Sequence, residues 1–263
     1  MIAERGAKTA STATRMMFVC EIFSAIQGEG ALVGERQVFL RLAGCNLRCS
    51  YCDQPEALVK KRGTARVEVR AGSRRWEQFE SPMLVDQVVS LVERLLRQLP
   101  HHSVSVTGGE PLMQADSLFP VLEKLKAAGR LVSLETNGTL VGRLRKISNL
   151  IDYVSMDIKL PSVDAEDVPL DVHRRFMEAC DGSKLAMKVV IGPRTSAEEL
   201  ASAMELVHAV CTSSEVFLQP VTPFGSVTEA PSPADVLRFH ELALRIHPRT
   251  RVVPQTHKLI GQL

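Results

Sequence analysis

QVFLRLAGCNLRCSYCD, residues 37–53, begins as a run of β-branched and aromatic residues, closes on glycine, and then releases three cysteines. The first part is the pattern of a strand feeding a loop. Cys45, Cys49 and Cys52 follow at once, spaced by four and three, so their thiolates can converge on one metal centre. A structural zinc site normally closes with four protein ligands, whereas a four-iron cluster held by three cysteines leaves one iron open to a small molecule. With no fourth Cys or His nearby in sequence, the spacing favours the open cluster. A distant histidine, His101 or His102, is the remaining way to complete a zinc site.

Outward from this stretch, helical and strand patterns alternate. Apolar residues at 84, 85, 88, 89, 92, 95, 96 and 99 predict a helix over 83–99. HSVSVTGGEP then reads as a short strand ending in a glycine pair, and a helix over 118–128 stops at Gly129. Further strands are expected at 131–137, 153–159, 185–192, 215–220 and 251–255, with helices near 196–210 and 232–246. Such alternation means βα units and a parallel sheet, with the site at the strand carboxyl ends. Periodicity does not separate a partly closed barrel from an open doubly wound sheet.

The chain has 263 residues, 45% of them apolar and 24% charged, which suits a globular fold. One domain is expected over 16–263, interrupted by an arginine-rich, poorly patterned insertion at about 59–80. Residues 1–15 read as a frayed terminal extension. Lys+Arg 32 against Asp+Glu 30 leaves a net charge of +2, too little for a global field that recruits nucleic acid or an anionic membrane. Local basic groups such as Lys60, Lys61 and Arg62, or Arg74 and Arg75, read as solvated surface. No run approaches the roughly 20 apolar residues of a membrane span, and no secretory signal is evident, so a cytoplasmic protein with reduced thiols is expected. Cys20, Cys180 and Cys211 stand alone, as small buried hydrophobes do.

CxxxCxxC after the first strand, with TGGEP (107–111) ending the second, resembles the radical S-adenosylmethionine superfamily. The resemblance implies an α/β fold, a partial (β/α)6-type barrel of parallel strands, with a [4Fe-4S] cluster on Cys45, Cys49 and Cys52. FSAIQGEG (23–30), FLRLAGCNLRCSYCD (39–53), LETNG (134–138), SMDIKLPS (155–162) and QTHKLIG (255–261) narrow the likeness. Together they are similar to 7-carboxy-7-deazaguanine synthases, from about residue 17 to the end. That family is a group of carbon–nitrogen lyases. It converts 6-carboxy-5,6,7,8-tetrahydropterin to 7-carboxy-7-deazaguanine with loss of ammonia, toward queuosine, through a 5′-deoxyadenosyl radical that takes hydrogen from C6.

By the same resemblance, S-adenosylmethionine meets Tyr51, Cys52, Asp53, Gly109, Glu135, Thr136 and Asn137, with Ser155 and Lys159 as further candidates. The pterin meets Ile26, Gln27, Gly28, Glu29, Arg41 and Thr107, with His257 and the terminal carboxylate of Leu263. The chemistry suits these roles. Gln27 and Glu29 present amide and carboxylate faces to a 2-amino-4-oxo ring, and Arg41 can pair bidentately with a carboxylate. Read without the resemblance, QGEG is a plain polar turn, ETN a helix N-cap turn, and Lys159 a solvated strand end. One departure is visible: the family usually follows the CxxC-Asp with Thr or Ser at a magnesium site, and here that position is Gln54, whose amide oxygen is also a hard donor. The family further implies an electron donor such as flavodoxin and a homodimer. A radical activase acting on a protein glycine and a zinc-stabilised binding module are the competing readings.

Overall fold

The runs SVSVT (103–107), VSLE (132–135) and VSMDI (154–158) alternate small or polar residues with Val, Leu, Met and Ile. In a strand this sends the two sets to opposite faces. The computed structural model, which describes residues 16–163, 167–180 and 184–262, has this arrangement. Its strands are β1 Met16–Met17, β2 Val19–Ile26, β3 Arg36–Leu42, β4 Gly63–Glu68, β5 Trp76–Ser81, β6 Met83–Leu84 and β7 Ser103–Gly108. They continue as β8 Val132–Thr136, β9 Tyr153–Ile158, β10 Lys184–Ile191, β11 Glu215–Pro220 and β12 Thr250–Val252. The helices are α1 Val85–Leu96, α2 Ala115–Ala127, α3 Val141–Leu144, α4 Leu170–Glu178, α5 Ala197–Val210, α6 Pro233–Ile246 and α7 Thr256–Leu259.

Ten strands form one sheet in the order β12-β11-β10-β9-β8-β7-β3-β2-β4-β5, and β1 pairs separately with β6. From β3 through β7 to β12 the pairing is parallel and follows chain order, whereas β2 is antiparallel to β3. The order never reverses, so right-handed crossovers put successive helices on one face. The neighbours accordingly pack α1 on α2, α4 on α5 and α5 on α6. This is the singly wound, barrel-like alternative and not the doubly wound one. It agrees with the partial barrel of parallel strands implied by the resemblance.

The helix-facing set is apolar: Val104, Val106, Val132, Leu134, Met156, Ile158, Met187, Val189, Val216 and Leu218 meet Val92, Leu95, Leu118, Leu122, Phe176, Met204 and Phe239, all buried. Each such side chain contributes about 1.5–3 kcal/mol. The opposite face is buried but polar, with Gln37, Ser103, Ser105, Thr107 and Ser133. Thr107 and Ser133 of this face line a cavity.

The 59–80 insertion has more structure than its sequence pattern suggested. It builds the hairpin β4–β5, which extends the sheet beyond β2. Trp76 sets its edge on Phe23, which stacks on Phe39, and the buried Glu68 carboxylate accepts from the backbone N–H groups of Ser24, Gly72 and Arg74. The predicted 83–99 helix starts as the short β6 and becomes helical from Val85. Cys20, Cys180 and Cys211 are half-buried, not fully buried, and Cys180 and Cys211 pack against the core. Residues 1–15 lie outside the described residues.

Candidate active site

Beyond Leu42 the chain folds over the carboxyl ends of β3 and β7. Gly44 N donates to Ala57 O (2.7 Å) and Cys45 N to Leu58 O (3.1 Å), which closes the cysteine loop on itself. The glycine pair of TGGEP lets this loop sit against β7. Gly108 has φ +136°, and a Cβ there would lie 2.1 Å from Leu42 O; at Gly109 it would lie 2.4 Å from Gly44 O. Only glycine fits such backbone contact.

Glu110, the next residue, is fully buried and was not singled out from the sequence. Its carboxylate accepts from Leu112 N (3.0 Å), Asn137 N (2.8 Å) and Thr136 Oγ1 (3.0 Å). Burial pushes the carboxyl up to about 7 against the pull of those donors. With its own N–H donating to Gly44 O (2.7 Å), Glu110 ties the LETNG turn to the cysteine loop, and Asn137 Nδ2 adds a bond to Asn46 Oδ1 (2.9 Å). The ETN segment is therefore no helix N-cap: α3 starts after Leu140.

Cys45, Cys49 and Cys52 all line the cavity and are in no disulfide. Burial raises the thiols of Cys45 and Cys52, while the ammonium of Lys159 acts in the opposite direction. Among the described residues no three Cys, His, Asp or Glu side chains gather closely enough for a single metal ion. Three loop thiols facing one cavity, opposite a buried cation, fit a larger anionic cluster with each thiolate on a different iron. His101 and His102 do not complete a zinc site. They precede the amino end of β7, about 16 Å of strand away from its carboxyl end, and bond to Ser24 and Ser103.

The cavity, of about 440 Å³, is lined by every site residue the resemblance selects within the described chain. Ile26, Gln27, Gly28, Glu29, Arg41, Thr107 and His257 share it with Tyr51, Asp53, Gln54, Gly109, Glu135, Thr136, Asn137, Ser155 and Lys159. Leu263 lies outside the described residues. Gln27 Nε2 donates to Glu135 Oε1 (2.7 Å), and Thr107 Oγ1 to Glu135 Oε2 (2.7 Å), so residues expected to serve the pterin and the cofactor share one carboxylate. Arg41 is buried, its Nε is bound to Glu21 (3.1 Å), and its guanidinium lies over Phe23. Lys159 is not a solvated strand end. It is 4% exposed and donates to Tyr51 OH (2.6 Å) and Asp157 Oδ2 (3.0 Å).

Asp157, Lys188, Gln255 and Lys258 were missed by the sequence reading. Lys188 Nζ bonds Glu29 and Asp157 (3.1 Å to the latter). Gln255 Nε2 bridges Glu29 (2.8 Å) and Asp53 (3.2 Å), and Lys258 Nζ pairs with Asp53 (2.8 Å). Burial acts to raise all three carboxyls, but Lys188 holds Glu29, Lys258 holds Asp53, and Lys159 with Lys188 holds Asp157 below the usual carboxylate range. These pairs are half-buried, with side chains 15–27% exposed, so removing one partner costs less than the about 3–5 kcal/mol of a fully buried pair. The signal for Asp157 and Lys188 was a charge in the middle of an apolar strand, in VSMDI and LAMKVVI.

Gln54 lines the cavity next to Asp53. The Asp53 carboxylate is bound by an ammonium and an amide, while magnesium is usually held through a carboxylate or two with substrate oxygens and waters.

Residues 40–218 match the family model of the radical SAM superfamily. The chain is 40% identical over 245 residues to the 7-carboxy-7-deazaguanine synthase of Geobacter sulfurreducens, covering 92% of this chain and 96% of that protein. It is 38% identical to the 7-carboxy-7-deazaguanine synthase of Methanopyrus kandleri, with 92% of each covered. The structure of QueE from Escherichia coli aligns over 93% of this chain and 96% of that one at a TM-score of 0.59 and 18% identity, a likeness of fold. Among the described residues no helix is long and apolar enough to cross a membrane. The cysteine loop, the parallel partial barrel and these likenesses agree, and the chain belongs to the 7-carboxy-7-deazaguanine synthases of the radical SAM superfamily, enzymes that use a [4Fe-4S] cluster and S-adenosylmethionine.

Proposed function

We propose that the one cavity holds S-adenosylmethionine beside the cysteine loop and 6-carboxy-5,6,7,8-tetrahydropterin beside the 26–29 turn, and that the pterin leaves as 7-carboxy-7-deazaguanine with loss of ammonia. The observation that carries this reading is the convergence on one wall of residues chosen for two ligands: Gln27 and Thr107 from the pterin set, and Glu135 from the cofactor set, are joined by hydrogen bonds of 2.7 Å. Two reactants bound there lie in contact, as direct hydrogen transfer requires. When bound, the cluster and S-adenosylmethionine supply the one-electron chemistry.

The chain's own residues bind, orient and exclude water. Cys45, Cys49 and Cys52 hold the cluster. Tyr51, Asp53, Gly109, Thr136, Asn137, Ser155 and Lys159 face the methionine and ribose groups. Gln27, Glu29 and His257, with the backbone of Ile26 and Gly28, face the pterin ring; Arg41, fixed by Glu21, offers its remaining guanidinium N–H groups to the substrate carboxylate. The tail closes this side, because Thr256 N and Oγ1 both donate to Gly28 O (3.0 and 3.1 Å). A small-molecule substrate suits such a covered site better than the extended protein segment an activase would take. A flavodoxin-like donor, a homodimer and a cytoplasmic location complete the reading.

Anaerobic turnover of reconstituted protein with S-adenosylmethionine, reductant and 6-carboxytetrahydropterin, read by mass spectrometry, tests it. Formation of 7-carboxy-7-deazaguanine is expected. Formation of 5′-deoxyadenosine alone would keep the radical chemistry and reject the substrate.

A further inference from the structure

Lys188 lies in the middle of β10, in LAMKVVI, where its neighbours Met187 and Val189 turn out to the helices and its own side chain turns into the cavity. The parallel register sets it directly beside Asp157 on β9, and the two side chains pair at 3.1 Å. Its second partner comes from the far side of the barrel. Glu29 follows β2, which is five places from β10 in the sheet, and the ion pair with Lys188 forms because the curled sheet brings the 26–32 turn onto β10 and β11.

Both carboxylate oxygens of Glu29 are held, one by Lys188 and the other by Gln255. Asp157 continues the chain to Lys159, and Lys159 to Tyr51 in the cysteine loop. Glu29, Lys188, Asp157 and Lys159 thus alternate in charge from the pterin side of the cavity to the cofactor side. Without Lys188, two carboxylates would face the cavity with one ammonium fewer between them, and Glu29 would lose the contact that fixes its plane.

We propose that Lys188, anchored by Asp157, is a positioning residue for the conversion, setting the carboxylate of Glu29 to receive the substrate ring. This rests on the reading that Glu29 faces the pterin. Lys188 acts through Glu29, so its removal weakens substrate capture while the cluster loop keeps its own supports.

The test compares wild type with Lys188→Met, Lys188→Arg, Glu29→Gln and the double variant Glu29→Gln/Lys188→Met. It measures KM for 6-carboxy-5,6,7,8-tetrahydropterin and kcat for 7-carboxy-7-deazaguanine formation, the ratio of 5′-deoxyadenosine to product, and iron content with cluster absorbance. Lys188→Met is expected to raise KM by about 30-fold, the low end of the scale for truncating one partner of a buried charge pair because both side chains are partly exposed, and to raise the 5′-deoxyadenosine ratio at unchanged iron content. Lys188→Arg should recover most of the loss. The double variant should bind substrate no worse than Glu29→Gln alone, because Lys188 has nothing to position once the carboxylate is gone. An unchanged KM in Lys188→Met, or a double variant worse than Glu29→Gln by the full additive amount, overturns the proposal. If Lys188→Met does not fold, Glu29→Gln against the double variant decides alone. A wild type that cleaves S-adenosylmethionine without making product rejects the substrate reading instead.

Discussion

Gly28 and the imidazole of His257 occupy one packing position: a Cβ built on Gly28 would lie 2.1 Å from His257 Nδ1 and 2.5 Å from its Cβ. Residues 229 apart in sequence thus meet without room for a methyl group, next to Glu29 and the end of the cavity. The glycine of QGEG is required by the tail that packs on it, as well as by any ligand. Gly28→Ala should displace α7 and with it His257, lowering kcat/KM for the pterin by about 10²-fold, the scale of a misplacement of about 1 Å. Iron content and 5′-deoxyadenosine formation should hold. Steady-state kinetics beside an iron assay checks this, and a variant with wild-type KM would refute the packing argument.

Cys49→Ala should lose both the cluster and all cleavage of S-adenosylmethionine, because two thiolates leave one more iron without a protein ligand. Iron analysis, the visible absorbance of the reconstituted protein and 5′-deoxyadenosine assays read this out. Cleavage retained in that variant would refute the ligand set.

His173 gives a stability dependence whose sign follows from its surroundings. It is buried in α4, and Nε2 accepts from Lys159 N (3.1 Å), a bond that needs the neutral ring. Burial lowers its pKa from 6.5 to about 4. In that interval the unfolded chain binds more protons, so the stability that His173 contributes is complete above pH 6.5 and is lost as pH falls toward 4, by up to about 3 kcal/mol. Glu110, raised from 4.5 to about 7, acts in the opposite sense, losing its contribution as pH rises through that range. The difference between wild type and His173→Gln cancels the Glu110 effect. Urea unfolding at pH 7 and pH 5 should give a smaller acid loss in the variant; equal losses would show that His173 titrates normally in the fold.

Chelation of divalent cations should leave turnover unchanged. Lys258 already places a positive charge 2.8 Å from Asp53, and Gln54 replaces the hydroxyl residue usual at this position. Turnover after chelator treatment and after magnesium is restored measures the effect. A rate that collapses on chelation and returns with magnesium would show that the substrate and Gln54 complete a cation site.

Much of this protein was legible in the residues alone. The βα alternation, the strand over 215–220 and the helices near 196–210 and 232–246 could be read because each apolar stripe is a local pattern that helix or strand geometry imposes. The cysteine spacing named the metal chemistry for the same reason: its ligands lie within eight positions. Helix α4 escaped notice because it is only nine residues long and one of its buried side chains is a histidine. The hairpin β4–β5 escaped because β4 alternates over only Ala65 and Val67, β5 spaces Trp76 and Phe79 three apart, and the pair depends on Trp76 reaching Phe23. The choice between a curled, singly wound sheet and a doubly wound one belonged to the tertiary structure, since strand order is a long-range property. So did the pairings of Lys188 with Glu29, Lys258 with Asp53 and Gly28 with His257, whose partners are far apart in the chain and meet where the sheet's curvature brings its ends over one cavity.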